Sequence, residues 1–160
     1  RMTIGEAIRE PLQVHDLEKT KSAQVDRVIE LLESVHLKAD HISRYPHEFS
    51  GGQRQRICIA RALSVNPELM IFDESVSALD MYLQNQIIQL ILELKSKRNF
   101  TCLFISHDLR LVSAVCDRVA VMQSGKIIEV GDASQVFNHP AQEYTQSLAN
   151  VIPGKKFFIN

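Results

Sequence analysis

The sequence predicts an α/β fold in which a parallel sheet follows a helical N-terminal region, and three observations support this prediction. No strand pattern occurs before residue 69, whereas amphipathic helices are predicted at 4–15 and 22–36. Beyond that point, short apolar runs at 69–73, 101–106 and 118–123 alternate with helical patterns. Strands separated by helices pair in parallel through right-handed crossovers, which predicts a parallel sheet for the second part of the chain.

The composition is that of an ordinary globular protein. The 160 residues are 45% hydrophobic and 23% charged, with a net charge of −1. This length and composition suffice for one compact domain with a core. This charge gives no general attraction to DNA, RNA or anionic lipid, so no nucleic-acid partner is expected. No apolar run approaches the ~20 residues that span a bilayer, so direct membrane insertion is not expected. The three cysteines are scattered in apolar stretches, as expected of buried, reduced thiols in a cytosolic protein.

The N-terminal region is predicted to contain two helices and a loop. Pro11 lies in the first helical segment, which is expected to kink or end there. The segment 22–36 keeps its apolar side chains on one face, as an amphipathic helix does. The polar segment 38–49 is interrupted by Pro46 and is predicted to be a loop.

The second part of the chain is predicted to alternate helices with strands. Ser124-Gly125 is predicted to form a hairpin turn, and Pro153-Gly154 to begin a frayed tail. Further helices are predicted at 51–65, 82–98, 108–116, 133–138 and 141–150, and a last strand at 126–130.

The tetrapeptide Ser50-Gly51-Gly52-Gln53 has the properties of an anion site. Ser50 is a good helix N-cap, and Gln53 completes a capping box three residues later. The two glycines let backbone amides approach a ligand, and the helix dipole adds partial positive charge at this end. Phosphate is the natural ligand of such a site. The alternative is an ordinary capped helix that follows a glycine turn.

Two adjacent carboxylates, Asp73 and Glu74, follow the apolar run 69–72. This run is predicted to be a buried strand, and ligands of open parallel sheets bind at the carboxyl ends of strands. Carboxylate oxygens there can hold Mg²⁺ or orient a water molecule. The alternative is that both residues only begin the next segment favourably.

Two further polar positions follow strand and turn segments. Asp80 precedes the helix predicted at 82–98, where its simplest role is an N-cap. His107 stands between Ser106 and Asp108 at the end of the strand 101–106. That strand end is expected beside the end of the strand 69–73, although a single histidine is more often structural.

The remaining charged and metal-binding residue types do not form recognisable sites. Five histidines lack the i, i+4 pairing or cysteine partners of a metal site and are predicted to be surface or loop residues. They are His15, His36, His41, His47 and His139. Arg54, Arg56 and Arg61 are predicted to form the solvated or interface face of the helix 51–65, not a nucleic-acid patch.

The order of these motifs resembles the C-terminal half of an ATP-binding cassette (ABC) ATPase, the ATP-hydrolysing part of ABC transporters. Phe49 to Gln53 resembles the ABC signature, Leu69 to Glu74 the Walker B strand, and Ser77 to Asp80 the D-loop. The family usually has Leu where Phe49 stands. It usually has Pro-Thr where Ser75-Val76 stand, a difference expected to loosen the turn. The resemblance implies a partial P-loop NTPase (RecA-like) sheet with an ABC helical subdomain before it.

The resemblance also implies roles for the site residues, with ATP and Mg²⁺ as cofactors. The signature residues would contact the γ-phosphate of a nucleotide held on an opposing subunit. These residues are Ser50, Gly51, Gly52 and Gln53. Asp80 would cross the interface between the two subunits and connect their sites.

The catalytic roles that the resemblance implies fall on three residues. Asp73 would hold Mg²⁺, usually through water. Glu74 would act as the general base or orient the attacking water. His107 would be the switch histidine that contacts the γ-phosphate.

Two further segments resemble the subgroup that serves oligopeptide, dipeptide and nickel importers. These are Arg44 to Arg56 and Phe137 to Thr145. The domains implied are 1–49, a helical subdomain remnant that follows the glutamine loop; 50–131, the signature helix and the C-terminal half of the nucleotide-binding core; and 132–160, the C-terminal helices and tail. A cysteine-rich extension, which this subgroup often carries, is not part of the sequence.

The sequence therefore predicts an ATP-binding and ATP-hydrolysing subunit of an ABC importer for peptides or nickel. Transmembrane permease subunits and a second ATP-binding subunit, identical or related, are the expected partners, at the cytoplasmic face of the inner or plasma membrane. No G-x-x-x-x-G-K-[ST] phosphate loop (Walker A) occurs in the sequence. Arg1 is therefore expected to be a truncation point or a processed end, and this chain alone is expected to be inactive.

Two alternatives remain open at the level of sequence. The first is a degenerate, non-hydrolytic cassette that acts as a binding or regulatory module. It would require a stable fold without the missing strands, whose loss should expose sheet edges and apolar core. The second is a non-transport ABC ATPase of DNA repair or translation, which would be expected to carry coiled-coil, zinc-binding or basic insertions.

Overall fold

The computed structural model describes residues 2–150, which form two compact units that divide between Leu103 and Phe104. The first unit contains four helices: α1 (Ile4–Val14), α2 (Lys21–Ser34), α3 (Gly51–Leu63) and α4 (Met81–Arg98). It also contains the strand β1 (Leu69–Asp73) and most of β2 (Thr101–Ile105). The second unit contains α5 (Leu109–Val115), β3 (Arg118–Gln123), β4 (Lys126–Asp132), α6 (Ala133–Asn138) and α7 (Glu143–Asn150).

The helices of the first unit pack around an apolar core. Both α1 and α2 pack against α3, which in turn packs against α4. The fully buried side chains recur at helical spacing, as in Ile4, Ile8 and Leu12 of α1. Burial of such side chains, at about 1.5–3 kcal/mol each, holds these helices together.

Local signals explain where the helices begin. Thr3 and Glu6 form a capping box at the start of α1, with the Thr3 amide donating to Glu6 Oε2 at 2.7 Å. Pro11 lies inside α1, which confirms a helix across this segment; of the two outcomes expected at Pro11, a kink or an end, the end does not occur. The helix continues to Val14 because Leu12 is anchored in the core and the His15 amide donates to the Pro11 carbonyl at 3.1 Å.

The predicted loop 38–49 contains two short 3₁₀ helices, Ala39–Ser43 and Pro46–Glu48. The first lies against α1: the Ile4 amide donates to the Arg44 carbonyl at 2.9 Å. A Cβ atom on Gly5 would lie only 2.6 Å from the Ile42 carbonyl oxygen. Glycine at position 5 therefore permits the close approach of α1 to this segment.

The predicted strand pairings are confirmed for β1 with β2, which form a parallel pair, and for the β3–β4 hairpin. Among residues 2–150, however, β3 is paired in a separate antiparallel sheet with β4, not in parallel with the earlier strands. The turn at Ser124-Gly125 permits this hairpin because both residues adopt positive φ angles, 50° and 76°. The α/β class is confirmed.

The prediction that β1 is a buried strand holds for only one of its faces. Met70 and Phe72 are buried, but Leu69 and Ile71 are 52% and 61% exposed. Burial alternates along the strand because successive side chains point to opposite faces of a sheet.

Candidate functional site

The first turn of α3 has the capped geometry that the sequence predicts. The Gln53 amide donates to Ser50 Oγ at 3.3 Å, and the Ser50 amide donates to Gln53 Oε1 at 3.0 Å. The capping box therefore uses the acceptor oxygen of Ser50 and leaves its hydroxyl proton able to donate to a ligand. Ser50 is exposed, so a ligand can reach this hydroxyl.

The glycines of this turn lie directly against the segment that follows β1. A Cβ atom on Gly51 would contact Leu79 Cδ2 at 3.3 Å, and one on Gly52 would contact Leu83 Cδ2 at the same distance. The structure therefore brings the signature turn and the D-loop segment together within the first unit. Asp80 is the N-cap of α4 and accepts a hydrogen bond from the Leu83 amide at 2.9 Å.

Phe49, the residue before the N-cap of α3, packs into the core. Its ring is buried and meets the ring of His41 edge to face, with centroids 5.3 Å apart. His41 is itself only 8% exposed, so its prediction as a surface or loop residue is wrong. This contact could not be predicted from the sequence, because the segment 38–49 is polar and the 3₁₀ turn that buries His41 has no local sequence pattern.

The prediction that the arginines of α3 form a solvated or interface face agrees with the exposure of Arg54 and Arg61, whereas Arg56 is partly buried. Arg54 Nη1 donates to the Phe49 carbonyl at 2.6 Å and so braces the signature turn. Arg61 Nη2 pairs with Glu10 Oε2 of α1 at 2.6 Å. These contacts connect α3 to Phe49, which precedes its N-cap, and to α1.

Arg56 makes the most buried of the arginine contacts of α3. Its Nη1 donates to the Val35 carbonyl at the end of α2 at 3.0 Å and lies 3.4 Å from His36 Nδ1. Burial lowers the pKa of the Arg56 guanidinium below its ordinary value. Arg56 also lines a cavity of about 280 Å³ beside the signature turn. The other lining residues are Ser50, Gly52, Gln53, Leu83, Gln86 and Ile87.

Asp73 and Glu74 lie at the carboxyl end of β1, where both are exposed. Glu74 adopts a left-handed backbone conformation with φ of 47°. This conformation is costly for a residue with a Cβ atom, and such strain is concentrated at functional sites. Two exposed carboxylates at this edge have the oxygen donors that suit Mg²⁺ and its waters.

The turn after Glu74 is hydrogen-bonded, in contrast to the loosening expected from Ser75-Val76. The Ser77 amide and hydroxyl donate to the Glu74 carbonyl at 3.2 and 2.8 Å. Val76 is buried, and its carbonyl accepts from Gln84 Nε2 of α4 at 3.2 Å. The buried Val76 side chain therefore anchors the turn, although the Pro-Thr pair that is usual in the family is replaced by Ser75-Val76.

His107 lies two residues beyond β2, in the second unit, and is exposed. Its neighbours form a local motif: the Asp108 amide donates to Ser106 Oγ at 3.1 Å. Hydrogen bonds from Arg110 hold the pKa of the Asp108 carboxyl below its ordinary value. Since β1 and β2 are hydrogen-bonded neighbours, the predicted adjacency of the two strands is confirmed.

Two other kinds of feature are absent from residues 2–150. Within residues 2–150 there is no group of three or more His, Cys, Asp or Glu side chains that could hold a metal ion. No helix in that part of the chain is long and apolar enough to cross a membrane.

The chain is similar to ABC transporter proteins in sequence and in fold. Residues 1–77 match the family described as ABC transporter. A chain from a metal-chelate type ABC transporter in an inward-facing conformation superposes with a TM-score of 0.79 and 23% identity, covering 95% of this chain and 59% of that one. This likeness confirms the fold, a partial P-loop NTPase architecture.

Relatives with higher identity are named as transport or import ATP-binding proteins. The chain is 50% identical over 153 residues to the oligopeptide transport ATP-binding protein OppF of Bacillus subtilis, and 51% identical to the dipeptide transport ATP-binding protein DppF of Lactococcus lactis. It is 50% identical to the glutathione import ATP-binding protein GsiA of Pectobacterium atrosepticum. Each match covers 96% of this chain, and 50%, 49% and 24% of the relatives.

These matches confirm the resemblance of the chain to ATP-binding proteins of ABC transporters, with oligopeptide and dipeptide transport proteins among the similar ones. The chain spans about half the length, or less, of the curated relatives that it matches.

Proposed function

We propose that this chain supplies the signature-bearing half of the nucleotide-binding domain of an ABC importer subunit. The intact subunit binds and hydrolyses ATP and drives transport through partner membrane proteins. The capped first turn of α3, with the D-loop segment packed against its glycines, is the observation that carries the proposal. The relatedness to peptide-importer subunits at about 50% identity supports it.

The signature turn is proposed to bind the γ-phosphate of ATP held on a second ATP-binding subunit. Ser50 offers a hydroxyl proton, and the amides of Gly51, Gly52 and Gln53 stand at the positive end of the α3 dipole. Asp80 follows Leu79, whose Cδ2 would lie 3.3 Å from a Cβ atom on Gly51, and Asp80 is proposed to cross the same interface. The second subunit can be identical or related.

ATP hydrolysis is proposed to depend on three residues, Asp73, Glu74 and His107. Asp73 suits Mg²⁺, held through water, and the bound ion would neutralise developing charge on the phosphates. Glu74, whose backbone φ is 47°, is proposed to orient or deprotonate the attacking water. His107 is proposed to contact the γ-phosphate.

This chain alone is proposed to bind ATP weakly and to hydrolyse essentially none. Phosphoryl transfer depends on positioning and charge stabilisation, and the phosphate loop supplies both to the β- and γ-phosphates. That motif does not occur in the 160 residues. Measurable turnover by the 160-residue chain, abolished by Glu74→Gln, would contradict this point.

Peptides are the proposed class of cargo, because the relatives with about 50% identity include oligopeptide and dipeptide transport proteins. Nickel stays a prediction from the sequence resemblance. The proposed partners are transmembrane permease subunits, and the proposed location is the cytoplasmic face of the membrane that contains them.

The test is ATP hydrolysis by the intact subunit in the presence of Mg²⁺. Glu74→Gln should lower kcat by about a hundredfold or more, because general-base catalysis contributes about 10²–10⁴-fold. Glu33→Gln is the matched control, since Glu33 is an exposed carboxylate on α2. Equal loss in both variants, or none in Glu74→Gln, would refute the assignment of Glu74.

A further inference from the structure

Two carbonyl groups in the turn after β1 each accept one backbone and one side-chain hydrogen bond. The Glu74 carbonyl accepts from the Ser77 amide at 3.2 Å and from Ser77 Oγ at 2.8 Å. The Val76 carbonyl accepts from the Leu79 amide at 3.1 Å and from Gln84 Nε2 at 3.2 Å. The side chains of Ser77 and Gln84 therefore both bind the backbone of the turn that begins at Glu74.

The backbone of Glu74 needs such support because its conformation is strained. Its φ of 47° lies in the left-handed region, which favours glycine over residues with a Cβ atom. A residue keeps this conformation only when the surrounding structure imposes it. Other non-glycine residues with positive φ follow helices or lie in the hairpin turn, where the conformation is usual, whereas Glu74 follows a strand. They are Asp16, His36, Asn66, Asn99 and Ser124.

The hydrogen bonds to the Glu74 carbonyl also affect its carboxylate. The rotamers that a side chain can adopt depend on the backbone angles of the residue. Ser77 holds the peptide group after Glu74 and so limits where the Glu74 carboxylate can lie. Both residues are exposed, and a hydrogen bond exposed to water adds little to the stability of the whole fold. The effect of the Ser77 hydroxyl is therefore expected to be local, at Glu74.

Gln84 connects the same turn to a helix. It lies on α4, whose start is capped by the Asp80 side chain. Its Nε2 atom donates to the Val76 carbonyl, and the Val76 side chain is buried. The middle of the turn is therefore held against α4, while Ser77 holds the beginning.

We propose that Ser77 and Gln84 are positioning residues for Glu74. The proposal rests on the proposed function, in which Glu74 orients or deprotonates the attacking water. That role requires the carboxylate to lie within hydrogen-bond reach of the water, and a misplacement of about 1 Å can cost about a hundredfold in rate. Neither Ser77 nor Gln84 is among the residues proposed to contact ATP. Loss of either side-chain donor should therefore lower kcat without weakening ATP binding.

The first test is ATP hydrolysis by the intact subunit with Mg²⁺. Ser77→Ala should lower kcat by about two- to tenfold, the loss expected for one hydrogen bond, with an unchanged KM for ATP. Ser77→Thr keeps the hydroxyl and should keep the wild-type kcat. The matched control is Ser96→Ala, because Ser96 Oγ donates to the Glu93 carbonyl at 2.8 Å in the last turn of α4. It removes the same kind of hydrogen bond and should leave kcat unchanged.

The contact of Gln84 is tested in the same assay. Gln84→Leu removes the side-chain donor to the Val76 carbonyl and should lower kcat over the same range, again with an unchanged KM. Gln89→Leu is the control, since Gln89 is an exposed glutamine of the same helix. Equal kcat in the two variants would overturn the role of Gln84.

A double-mutant cycle separates positioning from a general structural role. If Ser77 acts through Glu74, Ser77→Ala should cause no further loss in the residual hydrolysis of Glu74→Gln. A merely structural serine would lower the activity of both backgrounds by the same factor. An additive loss in the double variant, or a wild-type kcat in Ser77→Ala, would overturn the role of Ser77.

A measurement without hydrolysis keeps this proposal distinguishable from the proposed function. Hydrogen exchange at the Ser77 and Leu79 amides, corrected for intrinsic rates, should be faster in Ser77→Ala than in the wild type. Unchanged exchange would show that the hydroxyl does not hold the turn and would overturn the proposal. Absence of hydrolysis in the unsubstituted subunit would instead contradict the proposed function, and the exchange rates would still decide whether Ser77 holds the backbone of Glu74.

Discussion

Ser50 combines two roles that substitution can separate. Its oxygen accepts the Gln53 amide and so caps α3, while its hydroxyl proton is proposed to bind phosphate. Ser50→Ala removes both. Loss of an N-cap costs about 0.5–2 kcal/mol of stability when alanine replaces serine, but only a few tenths when glycine does. Ser50→Gly therefore keeps most of the stability and lacks the hydroxyl.

The expected effect on catalysis is larger and does not follow stability. A hydrogen bond to a charged group is worth about 1.5–3 kcal/mol, which corresponds to about ten- to hundredfold in kcat/KM. Both variants should lose this factor in ATP hydrolysis by the intact subunit. Only Ser50→Ala should also show a lower midpoint in urea unfolding. If Ser50→Gly retains wild-type kcat/KM, the hydroxyl does not bind phosphate, and the turn acts only as a helix cap.

Three further predictions concern the packing around the site. Gly5→Ala should destabilise the protein by about 1–3 kcal/mol in thermal unfolding, because the new methyl group meets the Ile42 carbonyl; an unchanged melting temperature would contradict the close contact. Backbone hydrogen bonds before α7 lower the pKa of Glu129 from its ordinary value of 4.5, so its stabilising effect is complete above that pH and is lost as the pH falls below it. Glu129→Gln should therefore weaken the acid dependence of stability, and an unaltered acid unfolding curve would refute this. Glu10→Gln should cost less than about 1 kcal/mol, since the Arg61–Glu10 pair is exposed; a larger loss in urea unfolding would show that the pair is structurally essential.

The elements with strong local signals could be predicted from the sequence. The bounds of β1 were predicted because an apolar run ends in two carboxylates, and those of β3 because the turn at Ser124-Gly125 follows it. The start of α3 was predicted because Ser50 and Gln53 form a recognisable capping box. In each case, neighbouring residues determine the structure.

Features that depend on distant contacts could not be predicted. Pro11 was expected to kink or end α1, but core packing on either side of it continues the helix. His41 was predicted at the surface because its burial depends on the ring of Phe49, eight positions away. The contact between Arg56 and His36 joins residues 20 positions apart and has no local pattern.

The most direct test of the proposed importer function is ATP-driven uptake of a labelled oligopeptide. Proteoliposomes would contain the intact ATP-binding subunit, its permease partners and internal ATP with Mg²⁺. The account predicts that uptake requires ATP and is lost in Glu74→Gln, while Glu33→Gln transports normally. ATP-dependent uptake that persists in Glu74→Gln, or hydrolysis that never supports uptake, would contradict it.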